Sequence, residues 1–311
     1  MRQTAVLSIE NALNWSWGMA IRDLIGAMKA WRFVRIVRRL KHPIDDDLID
    51  YFPVSLLQNV DNMNLIKNHK RKVACRMGGL VIDKKTAPKG RYDNELAQVG
   101  AVIATNQELY EIAARVNGNT HLIPNGVDCD LFRPNPHRPV RKFTVGFAGN
   151  ITGMGGNYKG WQYYVQACMQ LEADGSVGHI ERLHGGIKGT HQEQVSHEDM
   201  IENFYWKIDA LILPSKGEGC SNVTGEAMAC GVPVLITKVG YHGEMLEDGV
   251  NALFIERDMT DIAEKVRMVR DDPELRKRLS ENGRAFVLEH QNVHEVAKEY
   301  ERVFKTIIQK E

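Results

Sequence analysis

The chain has 311 residues, 43% hydrophobic and 26% charged, an ordinary globular composition and enough length for two domains of roughly 130–180 residues. Forty basic and forty acidic residues cancel, which excludes a global field for nucleic acid or an anionic membrane while leaving room for a local patch. Five cysteines (75, 129, 168, 220, 230) are odd in number and form no CxxC pair, which favours reduced thiols in a cytosolic protein over a disulfide framework or zinc site. The start MRQTAVLSIENALNW has no signal-peptide pattern, and no apolar run approaches the ~20 residues of a membrane span. The expected setting is cytoplasmic, soluble or peripheral to a membrane, with no transmembrane segment.

In chain order, AVLSI (5–9) reads as a strand and GMAIRDLIGAMKA (18–30) as a helix with apolar residues at helical spacing. VSLLQ (54–58) and KVACRM (72–77) read as further strands; AVIATN (101–106) is a strand that runs into the helix QELYEIAARV (107–116), and HLIPN (121–125) closes this half. NGVDCDLFRPNPHRPVRK (125–142), rich in Pro, Asn and Arg, reads as an interdomain linker. The alternation restarts with FTVGFAG (143–149), a helix from about Trp161, IERLHGG (180–186), DALILPS (209–215), a helix after Ser221, PVLIT (233–237) and late helices from Asp261. Strand–helix alternation of this kind predicts an α/β fold of two parallel-sheet domains, with a ligand at the carboxyl ends of the strands in the cleft between them. The expected divisions are 1–136, 137–290 and a terminal helix at 291–311 that packs back toward the first domain.

The stretch EGCSNVTGEAMACGVPV (218–234) carries the most chemistry. Ser221 or Asn222 is a good N-cap after a buried strand, and the first turn of the helix it opens would attract phosphate through its backbone N–H groups and dipole. Gly225, Ala227 and Ala229 keep the helix face low, so that backbone or ligand can come close. Glu226, about one turn in, could accept hydrogen bonds from ribose hydroxyls, and Glu218 in the preceding loop could hold others. Gly231 ends the helix and Pro233 prevents its continuation. On the residues alone, a phosphorylated-sugar site and an ordinary strand–turn–helix with solvated glutamates stand level.

Glu218 and Glu226 in Glu-x7-Glu spacing, the AD-LPS-EG and EAMACGVPV framework, PNGVD (124–128) with its F-x-P (Phe132 to Pro134) and the dG-NALF tail resemble family-4 retaining glycosyltransferases of the GT-B fold. The likeness is close from about residue 98 to 290 and faint before. It implies that Glu226 holds the nucleotide ribose, that Glu218 contacts the transferred sugar, and that the amides of Ser221, Asn222 and Val223 meet the diphosphate. It also implies an Arg and a Lys after the first strand of this domain. Here the segment FAGNITGMGGNYKGW (147–161) supplies Lys159 in its KG, with Asn150 after Gly149 where the family has Arg. Losing that cation removes a charge-assisted contact, on the order of 1.5–3 kcal/mol. The glycines of GMGGNY could form an anion nest in its place, or another Arg could reach in.

His184 and Gly185 end a strand where the family has a Gly pair near the nucleotide, and Val195 with Ser196 and His197 resembles its base-stacking loop; His184 reads equally well as a core histidine. The resemblance thus implies Glu218 and Lys159 as catalytic, with Gly149, Asn150, Lys159, His184, Gly185, Val195, Glu218, Ser221, Asn222, Val223 and Glu226 binding the donor. The nucleotide-sugar is a co-substrate, UDP-sugar before GDP-sugar, and neither a cofactor nor a metal is expected. The implied chemistry is front-face transfer with retention to an acceptor hydroxyl. A nucleotide-sugar-binding scaffold without turnover, or a sugar-phosphate synthase or phosphorylase on the same fold, are the alternatives.

The first half matches less well. ENALNWSWGMA (10–20) stands at the family's Gly-rich turn with only Gly18, and Trp15 and Trp17 read either as a sugar platform or as core. KVACRMGG offers Arg76, Met77 and Gly78 where the family often has a histidine. KAWRFVRIVRRLKH (29–42) has six Lys/Arg and no acid: either a basic amphipathic helix for anionic lipid or another polyanion, or a strand with a solvated basic rim. The acceptor is not readable from the residues.

Overall fold

The computed structural model describes residues 3–8, 23–24, 26–28, 31–37, 48–53, 73–78, 92–137, 141–151, 154–173, 175, 177–184 and 196–308. They divide into two compact units, Met1–Gly126 with Val293–Glu311, and Val127–Asn292.

The first unit is built on a parallel sheet with strands β1 (Gln3–Ser8), β2 (Trp31–Val37), β3 (Leu48–Pro53), β4 (Val73–Met77), β5 (Ala101–Ala104) and β6 (Thr120–Leu122). Their spatial order is β2-β1-β3-β4-β5-β6. Residues on the central strands alternate between two cores, as period-two geometry requires. Ala74, Ala101 and Ile103 pack with Tyr300, Val303 and Phe304 of the last helix, Val293–Ile308. Cys75, Met77, Val102 and Ala104 face Leu96 and Leu109, from the helices Asp93–Leu96 and Gln107–Ala114. A sheet covered on both faces explains why these strands read as unbroken apolar runs.

The second unit has strands β7 (Phe143–Asn150), β8 (Val177–His184), β9 (Ala210–Leu213), β10 (Val234–Ile236) and β11 (Leu253–Phe254), all parallel, in the order β11-β10-β9-β7-β8. Ala210, Leu211, Ile212, Val234 and Leu235 have no exposed surface. Helices Trp161–Glu172 and Met259–Asp271 pack on each other, and Asn222–Ala229 packs on Pro273–His290.

Of 29–42, the stretch Trp31–Val37 is an edge strand, which decides for the second of the two alternatives there; Val34, Ile36 and Val37 are β-branched and favour the strand. The third strand is Leu48–Pro53, starting in the acidic run; VSLLQ (54–58) lies outside the described residues. The segment expected as a glycine nest is the short helix Met154–Lys159. Glycine costs a helix about 1 kcal/mol per residue, and tertiary contacts offset it here: Arg257 donates to the Asn157 carbonyl, and the Lys216 amide donates to that of Tyr158 at 2.7 Å. Of the helix expected at 18–30, residues 23–24 and 26–27 are helical, residue 28 is not, and the rest lies outside the described residues.

The Pro-rich segment 125–137 is irregular, as its composition indicates, but it is fastened down. Phe132 is 1% exposed, its carbonyl accepts from Arg284 at 3.3 Å, and the Arg133 carbonyl accepts from Trp206 Nε1 at 2.8 Å. The Val127 amide donates to the Gln291 carbonyl at 2.7 Å. Phe132→Ala should therefore cost about 3–5 kcal/mol in urea denaturation of the full chain, where a freely solvated linker residue would cost almost nothing.

Candidate functional site

The carboxyl end of β9 runs through Pro214 and Ser215 into the loop of Glu218, and helix Asn222–Ala229 follows. Ser221 caps that helix, its side chain accepting from the Thr224 amide at 3.2 Å. Asn222 and Val223 occupy the first turn, where a helix lacks internal acceptors for its amides. Gly231, at φ +71°, ends the helix in the left-handed conformation.

Glu218 is the most tightly built group. Its Oε1 accepts from Lys159 Nζ at 2.5 Å and from Ser215 Oγ at 2.7 Å. Both side chains of the ion pair are mostly covered, at 25% and 16% exposed. Two left-handed glycines make this geometry. Gly160, at φ +74°, caps helix Trp161–Glu172, and a Cβ there would lie 2.1 Å from the Pro214 carbonyl oxygen. Gly240, at φ +61°, would drive a Cβ to 2.4 Å from the Glu218 carbonyl oxygen. Glycine in the KG pair is thus what lets Lys159 reach across to the loop after β9.

Glu226 is half-buried and accepts from Tyr205 OH at 2.6 Å through Oε2. Burial first, and the Glu226 charge second, push the Tyr205 phenol well above its usual range, so it stays protonated and donates. Gly225, Ala227 and Ala229 are buried, and a Cβ on Gly225 would lie 2.9 Å from Val127 Cγ2 and 3.5 Å from the Gln291 amide group. Of the two approaches expected here, by backbone or by ligand, the one at Gly225 is made by the protein's own segments at 127 and 291.

Behind Glu218 lies a small pocket bordered by Ser215, Ser221, Thr224, Thr237 and His242. His242 is 2% exposed and its Nε2 lies 2.9 Å from Gln291 Oε1, while Gln291 Nε2 donates to Cys220 Sγ at 3.3 Å. Burial lowers the imidazole to about 4, against the raising influence of the Gln291 hydrogen bond and of Glu218.

Glu218, Lys159, Ser221, Asn222, Val223 and Glu226 are therefore gathered beyond the carboxyl end of the central strand β9, around the first turns of one helix. Gly149 and Asn150 end β7, and Asn150 pairs in register with His184 at the end of β8. Gly185 and Val195 lie outside the described residues, as do Trp15, Trp17 and Gly18. Arg257 does reach toward the Asn150–Lys159 segment, where it donates to the Asn157 carbonyl and lies 5.2 Å over the Tyr163 ring. In the first unit, Arg76 is buried and donates to Asn125 of the PNG turn. Tyr205, Ser215, His242 and Gln291 were not singled out by the sequence; only Ser215, inside the LPS run, carried a signal.

Residues 177–286 match the family model for glycosyl transferases group 1. D-inositol 3-phosphate glycosyltransferase 1 of Catenulispora acidiphila is 26% identical over 260 residues, 71% of this chain and 59% of its own length. The chain spans 25–59% of the length of the first curated relatives it matches. Among solved structures, sucrose-phosphate synthase of Thermosynechococcus elongatus aligns over 100% of both chains with a TM-score of 0.78 at 16% identity. Anabaena HepE in complex with UDP and glucose aligns over 98% of this chain and 100% of its own with a TM-score of 0.73 at 14% identity. These likenesses show the fold, α/β of the GT-B class.

His242 gives a pH prediction. Its folded value of about 4 lies below the ordinary 6.5, so between those limits the unfolded chain binds the extra proton. The stability is fully present above 6.5 and is lost as pH falls toward 4, by up to about 3 kcal/mol. Urea midpoints across that range should fall for the native chain and change less for His242→Gln. From these residues and matches, the segment 177–286 is similar to glycosyl transferases group 1, and the chain has a GT-B fold.

Proposed function

We propose that this chain is a retaining, family-4 glycosyltransferase that moves a sugar from a nucleotide-diphosphate sugar to an acceptor hydroxyl without a metal. The observation that carries the proposal is the pairing of Glu218 with Lys159 and Ser215 at one side of the first turn of helix Asn222–Ala229, with Glu226 on the other. That turn suits a diphosphate, through the amides of Ser221, Asn222 and Val223 and the positive end of the helix dipole. A ribose then falls to Glu226 and the transferred sugar to Glu218. UDP is favoured as the carrier because HepE binds UDP on the same fold.

In this reading the anomeric carbon breaks its bond to the diphosphate oxygen as the acceptor oxygen bonds to the same face. The acceptor proton passes to the departing diphosphate. The protein's part is to orient the two and to stabilise charge growing on the diphosphate, chiefly through Lys159 and the helix amides. Lys159 must exchange its present partner, Glu218, for the diphosphate, which leaves Glu218 as an acceptor for sugar hydroxyls. Five free, buried thiols suit the reducing, cytoplasmic compartment. Among the described residues no helix is long and apolar enough to cross a membrane.

One observation favours the second reading, a binding scaffold without turnover: Asn150 stands where the resemblance places an arginine. Turnover separates the two. Thermal melts with UDP, GDP, ADP and their sugar conjugates should show one responsive nucleotide, with about 2.7 kcal/mol of added stability at 100 times its dissociation constant. Glu226→Ala should not respond. The responsive sugar conjugate should be slowly hydrolysed or transferred, and Lys159→Ala should lower that rate roughly 100–1000-fold. Nucleotide binding with no release of sugar under any acceptor would leave the scaffold reading; no response to any nucleotide would defeat both.

A further inference from the structure

We propose that Tyr205 is the positioning residue for Glu226, and that the pair makes the site prefer a ribonucleotide over its 2′-deoxy counterpart; this rests on the donor-site reading above. Tyr205 opens the short 3-10 turn Tyr205–Lys207, 21 residues ahead of Glu226, and it is 1% exposed. Its ring sits edge-on to Phe204 at 5.2 Å between centroids and to Phe132 at 6.0 Å. Phe132, the first residue of the F-x-P motif, is itself held against the His197 ring at 5.0 Å. The motif thus has a task near the site: it fixes the aromatic ring that delivers a hydroxyl to Glu226.

That hydroxyl meets Oε2 at 2.6 Å. Because burial and the neighbouring carboxylate keep the phenol protonated, it can only orient Glu226 and does not compete with it for a proton. A carboxylate accepts about four hydrogen bonds, so one donation fixes the plane of the group without exhausting it. A vicinal diol needs that fixed plane, since both hydroxyls must meet the carboxylate together. Sites that hydrogen-bond a substrate hydroxyl reject the analogue lacking it far more strongly than apolar pockets reject a missing methylene. A carboxylate free to rotate would lose this discrimination first. A Tyr205 that only filled the core would affect stability and leave the preference alone.

The test is calorimetric titration of the full chain with UDP and 2′-deoxy-UDP, and with GDP and 2′-deoxy-GDP, for the native protein, Tyr205→Phe, Glu226→Gln and the double variant. The native chain should prefer the ribonucleotide by roughly tenfold or more. Tyr205→Phe should lose about tenfold in ribonucleotide affinity, hardly change for the deoxy form, and so bring the ratio near one. The double variant should bind no worse than Glu226→Gln, the signature of two residues acting as a unit. Phe132→Leu, which keeps the hydroxyl but loosens the ring, should give an intermediate ratio and serves if Tyr205→Phe does not fold. An unchanged ratio in these variants, or additive losses in the double, would overturn the proposal and leave Tyr205 as core. A native chain that binds neither nucleotide would overturn the donor-site reading itself, and the proposal with it; one that binds both sugars equally well would overturn only the proposal.

Discussion

Glu218 is held between a cation and a hydroxyl, Lys159 at 2.5 Å and Ser215 at 2.7 Å, and much of the second unit is arranged so that this can happen. Lys159 ends a glycine-bearing helix that its own propensity would not form, and Gly160 turns the chain in the only backbone conformation that clears Pro214. From the other side, Gly240 lets a second loop pass against the Glu218 and Gly219 carbonyls, and the Tyr241 amide donates to Gly219 at 2.8 Å. A partly covered ion pair of this kind contributes little to net stability, because desolvation offsets most of its attraction. On the proposed function, the pair keeps two charged groups ordered until a ligand with hydroxyls and phosphates replaces each partner.

Helix Asn222–Ala229 separates two kinds of contact. At Gly225 the segments at Val127 and Gln291 lie directly on it, and a larger side chain would push them away. It also carries Glu226, oriented by a buried phenol. Burying polar groups is costly unless each finds a partner, and here they do: Tyr205 with Glu226, His242 with Gln291, Gln291 with Cys220. The last of these fastens the loop of Glu218 to Ser221 through Cys220. The loop can therefore be rigid without being apolar.

The fold was largely legible, because its strands are buried on both faces and announce themselves as apolar runs such as AVIA and ALIL. The N-cap at Ser221, the stop at Gly231 and the reach of Lys159 followed from short-range chemistry and a motif with fixed spacing. What was missed lies in long-range packing. Nothing in the local sequence tells that MGGNYK is helical, since the contacts that hold it come from Arg257 and Lys216. Basic residues at 32 and 35 left an amphipathic helix and a strand both open, and the β-branched residues between and after them favour the strand that forms. Tyr205 and Gln291 carried no signal in the local sequence; their contacts depend on partners 21 and 49 positions away. Small residues at 225, 227 and 229 were read as room for backbone or ligand, and at Gly225 it is the chain's own packing that uses it.

The most direct measurement is a crystal structure of the full chain with UDP. The account predicts the ribose within hydrogen-bond distance of Glu226 and the diphosphate at the amides of Ser221, Asn222 and Val223. It also predicts Lys159 turned from Glu218 onto a phosphate oxygen. UDP bound elsewhere, or bound with the Lys159–Glu218 pair intact and the first turn of helix Asn222–Ala229 untouched, would contradict it.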